Sequence, residues 1–445
     1  MSDYESSNAF CRGSNPIRQS PVGFRKYVCV LVLFLFATFC RAQTAVPVIE
    51  VPNPPNAAAQ QPKHYVVLVS LDGFRYDYAQ KYGAKNLLAM AARGASAPEG
   101  MIPAYPSVTF PNHYTIVTGL YPEHHGIVAN SFYDPVRKQR FSYTDLKTAV
   151  DGSWYGGTPL WVLAEEQGMR AASFFWPGSE AEIHGKRPSY YLAYDDKVPD
   201  EERVDQIIAW LRLPPEQRPH FLTLYYSNVD HAGHTYGPDA PETGEAVRHL
   251  DEMMGKLSAG IESLHLPVDL IVVADHGMET TQGGWVVLDK WADLSQFVTV
   301  GPLLYAPSEE DVEKAYKSLL GASDTFKVYR RAEVPKYLNF SSNPREGDPV
   351  VVPTGPYNIA AHLPMSNGNP SKPSVGQHGY DPSTMPTMKA IFVAQGPDIR
   401  AGVTVASFEN VNVYPLIAKI LSLRIGAIDG RLSVLQGILK TDSQN

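Results

Sequence analysis

The 445 residues are 44% hydrophobic and 19% charged, an ordinary globular composition that excludes both a disordered chain and a membrane-spanning bundle. A chain of this length can bury a large core, as one α/β domain or as a core carrying an inserted subdomain. The formal net charge of −8 becomes −11 (33 basic against 44 acidic groups) once residues 1–42 are set aside, which argues against a dedicated surface for nucleic acid or another polyanion.

The amino terminus predicts export. Arg18, Arg25 and Lys26 precede the apolar run YVCVLVLFLFATFC (27–40), and Cys40 and Ala42 place small side chains before a cut after Ala42. This is the pattern of a secretory signal peptide over 1–42, and the run is short for a stable membrane span of about 20 residues. The expected location is periplasmic or extracellular. Cys11, Cys29 and Cys40 all fall in this segment, so the mature chain would hold neither a disulfide nor a thiolate metal ligand. Residues 43–63, rich in Pro, Ala and Gln, read as an extended linker.

The folded part is expected from Tyr65. VVLVSLDG (66–73) is a β-branched and aliphatic run that suits a strand buried on both faces. A helix is expected over 84–93, ending at Gly94, and another after Pro111 in HYTIVTGL. The apolar spacing of 201–211 and of 242–264 predicts two further helices, separated by the strand FLTLYY (221–226). Strands follow at VDLIVVA (268–274) and KAIFVA (389–394). Strand–helix alternation predicts an α/β three-layer sandwich with a largely parallel central sheet. Residues 285–375, more mixed and loop-rich, read as a smaller inserted α+β subdomain between core segments 64–284 and 376–445.

Metal-ligand residue types sit at the ends of these runs. Asp72 closes the first; Asp230 and His234 follow FLTLYY in the string DHAGH; Asp275 and His276 follow LIVVA; His378 lies in GQHGYDP. In parallel α/β sheets ligands bind beyond the carboxyl ends of the strands, so these residues are expected to converge. Three Asp and three His suit two zinc ions, with manganese or iron tolerated by the same donors. Alone, Asp72-Gly73 reads as a turn, and Thr109 in PSVTFPNH reads as a helix N-cap. As a nucleophile, Thr109 would gain the free N–H groups of the same helix start for a phosphoryl oxygen.

The segments LDGFRYDY (71–78), PSVTFPNHYTIVTGLYPEHHGIVAN (106–130), NVDHAGHTYGP (228–238), VADHGM (273–278) and QHGYDP (377–382) resemble the nucleotide pyrophosphatase/phosphodiesterase family of the alkaline phosphatase superfamily. The resemblance implies one zinc on Asp230, His234 and His378 and a second on Asp72, Asp275 and His276, with Thr109 oxygen as a further ligand. It assigns phosphoryl-oxygen stabilisation to Asn130 and the Thr109 N–H, and a nucleobase slot to Phe110 and Tyr225. The implied activity is hydrolysis of nucleotide-type phosphodiester and pyrophosphate bonds through a phosphothreonine. Rival readings are a lipid-headgroup diesterase, a phosphomonoesterase or phosphonate hydrolase with the same metals, and an exported metal- or nucleotide-binding protein without turnover. A sulfatase is disfavoured because no C/S-x-P-x-R motif is present.

Overall fold

A computed structural model describes residues 47–441; the expected signal segment, with the first four residues of the linker, lies outside them. A nine-stranded sheet organises the molecule. In chain order its strands are β1 (Ile49–Glu50), β2 (Tyr65–Leu71), β3 (Ala95–Ser96), β4 (Ala171–Phe174), β5 (Tyr190–Leu192), β6 (Phe221–Tyr226), β7 (Val268–Val273), β8 (Phe392–Gln395) and β9 (Val403–Thr404). Across the sheet the order is β1-β5-β4-β6-β2-β7-β8-β3-β9. The central run β5-β4-β6-β2-β7 is parallel, whereas β8 pairs antiparallel with both β7 and β3. Every residue of β2, β6 and β7 is buried, which is why these strands read as unbroken apolar runs instead of alternating ones.

The helices that pack around the site's strands are α1 (Lys85–Arg93), α2 (Thr109–Thr118), α3 (Asp200–Leu211), α4 (Asn228–Tyr236) and α5 (Pro241–Ser263). The long α5 buries Val247, Leu250, Met254, Leu257 and Ile261 at helical spacing, and α1, α3 and α4 all pack on it. Helix α2 is buried along most of its length and packs instead on Val413–Ile420. Residues Leu288 to Ala361 supply a second, smaller hydrophobic cluster that includes Leu304, Leu319 and Phe326.

Two expectations need correction. The Pro- and Ala-rich stretch is not a free linker where it is described: Ile49–Glu50 adds an antiparallel strand to the sheet edge. Asn56 is buried, its amide donating to the carbonyls of Pro215 and Arg218 and accepting from Arg170 N–H. Composition marks a segment as lacking an apolar face, but an edge strand needs only backbone pairing and one well-placed amide. The strand expected at 389–394 starts later, at Phe392, and runs antiparallel. Among the described residues no helix is long and apolar enough to cross a membrane.

The far end of α2 is fixed by a neutral histidine. Ile127 N–H donates to His125 Nδ1 at 3.2 Å, so the ring carries its proton on Nε2 and donates to Thr115 Oγ1 at 2.9 Å. Burial pushes His125 down to about 3. Because the folded value lies below the unfolded one, the stabilisation is complete above about pH 6.5 and is lost as pH falls towards 3. The loss is expected to be on the order of 5 kcal/mol. Urea midpoints measured against pH should show it in the native chain, and the acid limb should be shallower in His125→Gln, which cannot titrate.

Candidate active site

The register of three parallel strands builds the site. Val273 of β7 lies opposite Ser70 of β2, and Leu71 of β2 lies opposite Tyr226 of β6, so the three carboxyl ends are level to within a residue. Asp72 leaves β2 directly. Asp275 and His276 leave β7, and α4 starts just beyond β6 with Asp230 in its first turn and His234 one turn later. Gly73 permits the closeness: its φ is 69°, and a Cβ there would sit 2.9 Å from the Asp230 Cα. The Asp-Gly that alone reads as a turn is thus also the point where α4 meets the strand end.

The histidines are oriented alike. Nδ1 of His234, His276 and His378 each donates to a backbone carbonyl at 2.9 Å (those of Gly376, Gly277 and Ser107 respectively). Each therefore turns its Nε2 towards the carboxylates. His276 Nε2 is 2.9 Å from Asp275 Oδ2 and 3.6 Å from Asp72 Oδ1; Asp230 Oδ1 is 3.4 Å from His234 Nε2 and 3.7 Å from His378 Nε2. One buried oxygen on each of Asp72, Asp230 and Asp275 has no hydrogen-bond partner. Unpartnered carboxylate oxygens facing imidazole Nε2 atoms are the donor set of a metal centre. The candidate ligand atoms of Asp230, His234 and His378 lie within 4.8 Å of one another, as do those of Asp72, Asp230 and His276.

His113 also meets Asp72 and Asp275, but both its nitrogens are engaged. Nδ1 donates to Thr109 O and Nε2 accepts from Ser70 Oγ, each at 2.8 Å. Burial lowers its pKa, keeping it neutral. It braces the start of α2 against β2 and is not a ligand. Burial, then the carboxylates of Asp275 and Asp230, push Asp72 well above the usual carboxylate range. Burial acts the same way on Asp275, but His276 beside it outweighs burial and holds that group low.

Thr109 is the first residue of α2, not its N-cap: Val108 occupies that position with extended backbone. The Thr109 hydroxyl is left free of capping and lies 3.4 Å from His276 Nε2. Phe110 N–H donates to Asn130 Oδ1 at 2.8 Å, which fixes the amide's orientation and leaves its Nδ2 beside a cavity of about 510 Å³. Asp72, Thr109, Phe110, Asn130, Tyr225 and Asp230 all reach that cavity, while Asp275 and His276 lie fully buried. None of its lining residues is Lys or Arg among the described residues.

Residues 66–381 match the family described as type I phosphodiesterase / nucleotide pyrophosphatase. An uncharacterised pyrophosphatase/phosphodiesterase of Schizosaccharomyces pombe is 34% identical over 88% of this chain and 84% of its own length. Human ectonucleotide pyrophosphatase/phosphodiesterase family member 1 is 36% identical over 87% of this chain. The chain spans less than half, 43%, of that human relative. A solved structure of murine ectonucleotide pyrophosphatase/phosphodiesterase 5, an inactive form in complex with AMP, superposes with a TM-score of 0.78 at 30% identity, covering 85% of this chain and all of that one. The chain belongs to the type I phosphodiesterase / nucleotide pyrophosphatase family.

In this phosphodiesterase-family chain every residue singled out in the sequence meets at one place, but Tyr225 does more than line a slot. It is buried, and its hydroxyl donates to Asp72 Oδ2 at 2.5 Å. Burial and the Asp72 charge hold the phenol well above its ordinary value, so it remains a donor. The aromatic faces open to the cavity belong instead to Tyr143 and Tyr194, 46% and 48% exposed, with Tyr143 5.5 Å from Phe110 between ring centroids. Sequence reading missed both because they follow short strands, Gln139–Ser142 and Tyr190–Leu192, that carry no long apolar run, and it missed His113 because that residue lies inside α2. Tyr225→Phe removes the brace on Asp72 and is expected to weaken divalent-metal binding by about 10–100-fold in competition with a chelator. Unchanged affinity would show that the hydroxyl does not orient the ligand.

Proposed function

We propose that this chain is an exported two-zinc phosphodiesterase that releases nucleoside monophosphates from nucleotide-type diesters and pyrophosphates through Thr109. The observation that carries the reading is the uncapped Thr109 hydroxyl at the start of α2, beside three inward-facing imidazoles and three carboxylates whose buried oxygens lack partners. Asp230, His234 and His378 would hold one ion and Asp72, Asp275 and His276 the other. Bound zinc supplies Lewis acidity to the phosphoryl oxygens and lowers the pKa of hydroxyl and water.

The remaining work falls to the chain. Thr109 oxygen attacks phosphorus as the bond to the departing oxygen breaks, giving a phosphothreonine; water then attacks the same phosphorus, releases the monophosphate and restores the hydroxyl. Asn130 Nδ2 and the Thr109 N–H donate to the nonbridging oxygen on which charge gathers. Phe110, Tyr143 and Tyr194 offer ring faces to a base, a contact type that contributes about 1–3 kcal/mol per base. A phosphomonoesterase would need fixed cations for the second phosphate charge. The absence of Lys and Arg from the cavity lining among the described residues favours the diester.

Nitrophenyl thymidine monophosphate is expected to be hydrolysed in preference to nitrophenyl phosphate, with activity lost on chelation and restored by zinc. Thr109→Ala should abolish turnover while retaining metal. Asn130→Ala should lower kcat by about 10²–10³-fold. Preference for the monoester, or turnover surviving in Thr109→Ala, contradicts the reading.

A further inference from the structure

A second cavity of about 350 Å³ opens on the other side of Asn130 and His378, the two residues it shares with the first. Its far wall comes from the 285–375 segment, notably Trp285, Phe340, Tyr357 and Asn358. Among the described residues no Asp, Glu, Lys or Arg lines it. Trp285 and Asn358 are opposed in the register of a short parallel pair, Trp285–Val287 with Asn358–Ala360. The indole N–H of Trp285 donates to Ser371 O at 2.7 Å, which holds the ring in place. Asn358 is buried, yet its Nδ2 has no hydrogen-bond partner. A buried amide donor left unmet costs free energy, so a cavity wall containing one is suited to an acceptor brought by a ligand.

A diester has two substituents, and the reacting phosphorus sits between them. The first cavity holds Thr109, Phe110, Tyr143 and Tyr194, and so takes the substituent that stays on phosphorus. The substituent that leaves must point away from Thr109 for in-line displacement. His378, in the ligand set opposite Thr109, borders the second cavity.

We propose that the second cavity receives the departing alcohol of the diester, and that it selects an uncharged, planar group bearing a hydrogen-bond acceptor for Asn358, as a second nucleoside does. This rests on the phosphodiesterase reading above. As the Thr109 oxygen–phosphorus bond forms, the phosphorus–oxygen bond to this group breaks, and the departing oxygen takes up a proton equivalent to the one the Thr109 hydroxyl gives up and leaves as the alcohol. With no fixed cation in the cavity, a charged departing group gains nothing there.

The test uses four esters of thymidine 5′-monophosphate whose alcohols are of nearly equal acidity: methyl, 2-phenylethyl, 2-(uracil-1-yl)ethyl and 3-sulfopropyl. With the zinc-loaded chain, kcat/KM for the uracil ester is expected to exceed that of the methyl ester by about 10–100-fold, as a stacked base with one hydrogen bond implies. The phenyl ester should lie between them and the sulfonate should not exceed methyl. Asn358→Ala should bring the uracil ester down to the phenyl one, and Trp285→Ala should shrink both advantages. Equal kcat/KM for all four esters overturns the proposal, as does a uracil advantage untouched by Asn358→Ala. Hydrolysis of none of the four, with nitrophenyl phosphate turned over, overturns the phosphodiesterase reading itself.

Discussion

Three carboxylates, those of Asp72, Asp230 and Asp275, are buried together at the level ends of three parallel strands, and no lysine or arginine among the described residues reaches the cavity above them. Ionised oxygens at such spacing repel strongly in a medium less polar than water, and burial alone already opposes their charge. Asp72 and Asp275 respond in opposite directions, one forced towards the protonated form and the other held ionised by His276. Divalent metal relieves that conflict directly, so binding free energy becomes stability at the sheet's end. Much nearby detail serves the same cluster: the three histidines tethered through Nδ1, the Tyr225 hydroxyl on Asp72, the glycine at position 73 and the brace of His113 under α2.

The same constraint separates two kinds of aromatic and histidine residue. His113 and Tyr225 lie close to the carboxylates but serve as braces, since their polar atoms are already engaged. Tyr143 and Tyr194 keep open faces and are placed to touch whatever fills the cavity. The 285–375 segment, with its own small hydrophobic cluster, adds a second recess that shares Asn130 and His378 with the first.

Much of this is legible in the chain itself, for a physical reason. Strands buried on both faces announce themselves as unbroken apolar runs, and a polar residue ending such a run is conspicuous; that exposes Asp72, Asp275 and His276. The four-residue spacing of Asp230 and His234 implies one helical face, and both do lie on α4. What is not legible depends on contacts between distant segments. Thr109 looks like a cap because Thr before Pro usually is one, and only the extended Val108 shows the cap lies one residue earlier. The engagement of Tyr225 by Asp72 spans 153 positions, and Asn56 holds residues more than a hundred positions away. No local pattern encodes such pairings.

The central claim is that the buried carboxylate–histidine cluster is a two-zinc centre. The most direct measurement is anomalous diffraction at the zinc edge from crystals of the zinc-loaded protein. Two peaks are predicted, one among Asp230, His234 and His378 and the other among Asp72, Asp275 and His276 beside the Thr109 oxygen. A cluster with no anomalous density at saturating zinc, or with a single ion and the second set of ligands left empty, would contradict it.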